Sequence, residues 1–260
     1  MRIARYSSGS GVAFGVVEGD PDSLTVRAID GHPFAPFQVV GEAQPVASVR
    51  LLSPVLPSKV VAIGRNYSEH AREMGAEAPD VPVVFLKPST SVIGPGEAIR
   101  YPTGVSTDVH YEGELAVVIG RLCREVPAER AADVILGFSC GNDVTARDLQ
   151  REEPQWGRAK GFDTFCPIGP WIETEAPDLA GDLEVTTTVN GQLRQQGRTS
   201  QMMHDVAALV AHVTEAMTLL PGDVILTGTP AGVGPLAVGD EVAVSIEGIG
   251  TLTNPVASRG

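Results

Sequence analysis

Glu112 and Glu114 stand immediately before Leu115-Ala116-Val117-Val118-Ile119, an apolar run of strand length. Side chains alternate along a strand, so residues two apart share a face and both carboxylates point the same way. Neighbouring anions repel unless a proton or cation sits between them, and a hard, oxygen-liganded ion such as Mg²⁺, Mn²⁺ or Ca²⁺ would serve. A solvated polar strand face fits the same spacing. Asp143 lies in Gly141-Asn142-Asp143-Val144-Thr145, after a second apolar run over 134–138. At the end of a strand it would supply a third oxygen ligand; as a helix N-cap it would open a helix over 144–150.

Lys160 sits between Trp156-Gly157-Arg158-Ala159 and Gly161-Phe162-Asp163-Thr164-Phe165, an apolar setting for an ammonium. Buried, it needs an anion and could stabilise an enolate or oxyanion; otherwise it is a surface lysine with a buried stem. His70 and Glu73 are three apart, and with Ser68 opening a short helix they share a face where the carboxylate can orient the imidazole as a general base. An exposed polar pair has the same spacing. His32 and His204 have no such partner at helical spacing; for His110 and His212 the ordinary reading, a satisfied surface or core histidine, stands. Gly228-Thr229-Pro230-Ala231-Gly232-Val233-Gly234 follows the apolar Val224-Ile225-Leu226, but it lacks a Gly-Lys-Ser/Thr ending and Pro235 follows it. That excludes the nucleotide-binding patterns. A rigid loop offering Thr229 and backbone N–H groups to an anion and a purely structural turn both fit.

These groups need strands to hold them. Val12–Val17 and Leu24–Ile29 read as short strands broken by Gly, Asp and Pro, giving a small N-terminal β subdomain over 1–55. Lys59-Val60-Val61-Ala62-Ile63-Gly64 follows the Pro-punctuated 53–57 stretch and opens a main domain over 56–260. Leu183, Val185, Thr187 and Val189 alternate with polar residues before Asn190-Gly191, a hairpin signal. Val206, Leu209, Val210, Val213 and Met217 follow helical spacing, which predicts a helix over about 203–219, and Val242, Val244 and Ile246 mark a late strand.

Composition agrees with a mainly β fold. The 260 residues are 43% hydrophobic and only 5% aromatic, with 29 Gly and 20 Pro, which favours many turns over a helical bundle. There are 19 Lys and Arg against 32 Asp and Glu, a net charge of −13, which opposes nucleic-acid phosphate. Cys123, Cys140 and Cys166 form neither a disulfide framework nor a C-x-x-C pair, consistent with a reducing cytoplasm. The expectation is a cytoplasmic protein with no nucleic-acid or membrane partner, since no apolar run reaches membrane-spanning length.

In order along residues 60–250, Gly64-Arg65-Asn66-Tyr67 with His70, Phe85-Leu86-Lys87-Pro88, Tyr111-Glu112-Gly113-Glu114-Leu115, the Gly141–Asp148 block, Lys160 to Pro170 and the 226–234 loop resemble the fumarylacetoacetate hydrolase family. The similarity is to its bacterial branch of acylpyruvate hydrolases, oxaloacetate decarboxylases and the homoprotocatechuate-pathway isomerase/decarboxylase. The resemblance implies a mixed β-sandwich roll and a divalent metal, Mg²⁺ first, on Glu112, Glu114 and Asp143. It also implies Lys160 beside the metal, a His70–Glu73 water-activating dyad on a lid over about 69–82, and a homodimer. Arg65, Tyr67, Lys87, Gln196 and Thr229 match positions that contact substrate or frame the site. The expected substrate is a small 2-oxo acid. The expected reaction is hydrolysis of a C–C bond in a 2,4-dioxo acid such as fumarylpyruvate, with decarboxylation or keto–enol isomerisation of a dicarboxylic 2-oxo acid as the alternative. Relatives usually place an aromatic where this chain has His204.

Overall fold

The computed structural model describes residues 1–9, 11–73, 75, 79–175 and 181–259. Strands dominate, as composition and resemblance anticipate. Thirteen strands among these residues form the largest sheet, and its site-bearing half runs Cys166–Glu173, Ile135–Asn142, Gly113–Ile119, Val224–Leu226, Val60–Gly64 and Val83–Lys87. Gly113–Ile119 is central and wholly buried. Its odd residues, Leu115, Val117 and Ile119, join one apolar cluster, while Ala116 and Val118 join another on the opposite face. Burial on both faces explains why this strand reads as an uninterrupted apolar run.

A five-stranded sheet packs against that half, in the order Ile99–Tyr101, Gly250–Ser258, Glu241–Ile246, Glu184–Val189 and Gln192–Arg198. It supplies Val185, Val244, Ile246 and Leu252 to the shared core. The hairpin turning at Asn190-Gly191 is present, both residues having positive φ as a tight turn requires. The long helix is Val206–Ala216, shorter at both ends than the 203–219 span expected: Asp205 caps it by accepting from Ala208 N at 2.8 Å, and Met217 is already extended. Leu209, Val210 and Val213 bury its inner face.

The N-terminal strands do not form a separate sheet. Arg2–Ser8 pairs with Gly11–Glu18 and also with Cys166–Glu173, so the first 55 residues extend the main sheet. Among the described residues, no helix is long and apolar enough to cross a membrane.

Candidate active site

The two sheets approach closely at Gly113, where a Cβ would lie 2.2 Å from Thr187 Oγ1. Glycine between the two glutamates therefore lets the second sheet pack closely on the face opposite their carboxylates. Glu112 precedes Gly113–Ile119 and Glu114 lies within it, both on the face shared with Ala116. Asp143 follows the neighbouring strand, whose register sets Gly113 opposite Asn142. Two hydrogen bonds fix that corner: Asp143 N donates to Glu112 O at 2.9 Å, and Glu112 N donates to Asn142 Oδ1 at 3.0 Å. Asp143 is not a helix cap, because the helix Arg147–Glu152 starts later, after Ala146.

Glu112, Glu114 and Asp143 are buried, and one carboxylate oxygen from each lies within 4.8 Å of the others. Three converging buried carboxylates cannot all ionise without compensation, and this donor set suits a hard divalent cation. Burial pushes the Glu114 carboxyl well above its usual range, and the Asp143 and Glu112 charges push it further. Gly228 N–H partly offsets this by donating to Glu114 Oε2 at 2.8 Å. Burial would raise Glu112 as well, but Lys160 and then Arg147 outweigh it and hold that carboxyl below the usual range. The triad thus has polarised electrostatics, with the Glu114 carboxyl favoured neutral and the Glu112 carboxyl favoured ionised.

Lys160 ends the short helix Gly157–Lys160 and is 2% exposed. Its Nζ donates to Asp143 Oδ2 at 2.6 Å, Glu112 Oε2 at 2.9 Å and Thr145 Oγ1 at 2.8 Å. Burial opposes its charge, but Asp143 and Glu112 outweigh that and raise its pKa above the ordinary lysine value. The ammonium also lies 4.9 Å from the Phe85 ring centroid, within cation–π reach. Lys160 is therefore a buried cation at the carboxylates and not a surface lysine.

Glu112 and Glu114 open into a cavity of about 280 Å³, whose lining also includes His70, Arg65, Thr229 and Lys160. His70 lies on the helix Ser68–Glu73, and its Nδ1 is 3.3 Å from Glu73 Oε2. Glu73 also accepts from Gly232 N at 3.1 Å. Two N–H groups of the 226–234 loop, those of Gly228 and Gly232, are thus given to Glu114 and Glu73. Thr229 does line the cavity, but its hydroxyl is engaged by Gly113 O and Gln195 Nε2. The lid anticipated over 69–82 includes residues 74 and 76–78, which lie outside the described residues.

The remaining expected contacts are placed unevenly. Lys87 is fully buried and donates to Asp143 Oδ1 and Val144 O, so it braces a candidate ligand from behind. Tyr67 is buried with no partner for its hydroxyl among the described residues; burial, then the Glu114 charge, push its phenol pKa up. Gln196 does not reach the cavity: it bonds Glu184 on the exposed face of its hairpin. The inward residue is Gln195, which accepts from Gly113 N at 3.0 Å and donates to Thr229 Oγ1 and Pro230 O. A β-bulge between Thr187 and Thr188 causes the shift, setting Gln195 opposite buried Thr187.

Sequence reasoning missed Arg147, Gln150 and Arg151, which line the cavity from one helix. Arg147 donates to Glu112 Oε1 and to Gln150 Oε1. Arg151 bonds Asp108, which also bonds His110 Nε2 at 2.8 Å. The three-and-four spacing of these residues, four positions after Asp143, was the available signal. His204 lies at the turn held by Asn66, which donates to His204 O at 2.9 Å and accepts from His204 N at 2.9 Å.

A β-rich fold closing over three carboxylates, a buried ammonium and a histidine–carboxylate pair defines an enzyme class. The fumarylacetoacetate (FAA) hydrolase C-terminal model matches residues 59–257, and an Rv2993c-like N-terminal model matches residues 1–54. The chain belongs to the fumarylacetoacetate hydrolase family. It is 56% identical to Protein Rv2993c of Mycobacterium tuberculosis over 100% of this chain and 99% of that one. It is 41% identical to the oxaloacetate tautomerase YisK of Bacillus subtilis, covering 93% of this chain and 84% of the relative. The crystal structure of a 5-carboxymethyl-2-hydroxymuconate delta-isomerase from Mycobacterium smegmatis superposes with a TM-score of 0.92 at 54% identity over the whole of both chains.

Proposed function

We propose that the protein catalyses keto–enol isomerisation of a dicarboxylic 2-oxo acid of the oxaloacetate type. The observation that carries this reading is the meeting of a Glu73-oriented imidazole and the buried Lys160 ammonium in one cavity. Glu73 occupies Nδ1, which leaves His70 Nε2 as the nitrogen able to exchange a proton with substrate. In the forward step Nε2 takes the proton from carbon 3. The C–H electron pair becomes the C2–C3 double bond, and the negative charge moves onto the keto oxygen. Lys160 and Arg147 supply positive charge near that oxygen. Return of a proton to oxygen gives the enol, and the reverse sequence restores the ketone. A divalent cation on Glu112, Glu114 and Asp143, Mg²⁺ in this reading, would polarise the keto group and so lower the barrier to enolisation.

Charge also favours a dianionic substrate. Lys87, Lys160 and Arg147 already match the three carboxylates, so a bound divalent cation leaves the site positive. A tautomerase and a delta-isomerase among the relatives support isomerisation over the C–C hydrolysis expected first. Decarboxylation uses the same enolate and is the second reading, supported by the ammonium that would stabilise it. The three unpaired, buried cysteines fit a reducing cytoplasm, and the family resemblance supports a homodimer.

The test is a substrate panel with Mg²⁺. Enol-to-keto conversion of oxaloacetate, followed by loss of enol absorbance, should far exceed both its decarboxylation and the cleavage of acetylpyruvate. Faster acetylpyruvate cleavage would return the assignment to hydrolysis.

A further inference from the structure

Among the described residues, Arg65 is a cavity-lining cation with no hydrogen bond and no acidic partner. Lys160 is taken by Glu112 and Asp143, Arg147 by Glu112, and Arg151 by Asp108. Arg65 instead rests on an aromatic face, its guanidinium carbon 5.5 Å from the Trp156 ring centroid. Trp156 is fixed in turn. Phe85 meets it edge-on at 5.5 Å, and it packs so tightly on Gly64 that a Cβ there would lie 2.5 Å from the indole.

The backbone of Arg65 is also unusual, with φ at 60°, a left-handed conformation that non-glycine side chains rarely adopt. Its neighbours impose this. Gly64 ends a strand against Trp156, and Asn66 is held by donating to His204 O and Thr227 O and accepting from His204 N. Glycine would adopt this φ between the two fixed neighbours without strain. An arginine at so strained a position points to a function for its side chain.

We infer that Arg65, seated on Trp156, is a specificity-determining residue that binds the distal carboxylate of the substrate. The inference rests on the reading of the substrate as a 2-oxo acid handled at the triad, and adds how a second carboxylate is selected. A planar guanidinium held on a rigid ring has lost much of its freedom before binding, and offers two parallel donors to a carboxylate. An acid lacking that group would leave the cation unmatched. The predicted selectivity lies in binding, with little change in the rate of the bound complex.

The test compares calorimetric binding of oxaloacetate and 2-oxobutanoate, two four-carbon 2-oxo acids differing in the distal carboxylate, to the Mg²⁺-loaded full-length protein. The wild type should prefer oxaloacetate at least tenfold, the scale of one charge-assisted contact. Arg65→Gly should reduce that preference to about threefold or less while its melting temperature stays level or rises, because the backbone strain is removed. Arg65→Lys should recover part of the preference, and Trp156→Phe should keep more of it than Trp156→Leu. Equal affinities in the wild type, or an undiminished preference in folded Arg65→Gly, would overturn the inference. Tight, discriminating binding without isomerisation would instead sink the catalytic proposal and leave the Arg65 assignment standing.

Discussion

Lys160 and Asp143 form a buried ion pair, with Nζ 2.6 Å from Oδ2, in which the lysine also bridges to Glu112. The same ammonium that could meet a developing enolate therefore balances two carboxylates in the resting protein. Stability and chemistry meet in one side chain.

Replacing it separates the two roles. Lys160→Met should lower isomerisation about a hundredfold or more, the scale of losing one preorganised electrostatic group. It should also destabilise the metal-free protein by about 3 kcal/mol, because buried carboxylates lose their counter-charge. Urea unfolding in EDTA and in Mg²⁺ checks this. A larger stabilisation by Mg²⁺ in the variant than in the wild type is expected, since the cation supplies the missing charge.

Glu114→Gln should act in the opposite direction on stability. Burial together with Asp143 and Glu112 disfavours the Glu114 anion, so a neutral isostere should leave the protein in EDTA as stable as the wild type or more so. The Mg²⁺-induced rise in melting temperature should disappear, and with it the activity. A variant that keeps the wild-type response to Mg²⁺ would show that Glu114 is not a ligand.

Away from the triad, Asp223 ties the start of the Val60–Gly64 strand to the start of Val224–Leu226. It accepts from Ser58 N at 3.0 Å, Ser58 Oγ at 2.7 Å, Leu220 N at 2.9 Å and Lys59 Nζ at 2.5 Å. Burial raises its carboxyl, but Lys59, Leu220 N–H and Ser58 outweigh that and hold it below the usual range. A lowered folded-state pKa contributes stability that is present above the unfolded value and lost as pH falls through the folded one. Stability from this group should thus be full at neutral pH and fade below about pH 4. Asp223→Asn should weaken the protein at pH 7 and flatten the acid limb of its stability profile, measured by urea midpoints between pH 3 and 7.

Much of the site can be read from the chain because its spacing is local. Glu112 and Glu114 share a face by strand alternation, and His70 and Glu73 by one helical turn, so neither pair needs knowledge of the tertiary fold. Asp143 is ambiguous in sequence, where a helix cap is the commoner reading of an Asp after an apolar run; the later start of the helix at Arg147 rules the cap out, and pairing of its strand with Gly113–Ile119 brings it to the two glutamates. Gln195 was hidden for a different reason. An unbulged hairpin would set Gln196 opposite inward-facing Val185, and only the extra residue near Thr187 turns Gln195 to the core. The continuity of the N-terminal strands with the main sheet was equally hidden, since edge pairing of Ile3 with Ile172 leaves no mark on local pattern. Arg65 shows the converse, a residue visible in sequence whose strained backbone and aromatic seat appear only in three dimensions.

The most direct measurement of the central claim is proton exchange at carbon 3 of oxaloacetate in deuterated buffer with Mg²⁺, followed by NMR for the wild type and His70→Ala. Enolisation through His70 predicts deuterium incorporation by the wild type faster than any carbon is lost, and a loss of about a hundredfold or more in His70→Ala, as befits removal of a general base. Glu73→Gln should slow exchange less, since it disturbs only the orientation of the imidazole. Wild-type protein that cleaves a C–C bond without prior exchange, or a folded His70→Ala variant that exchanges at the wild-type rate, would contradict the account.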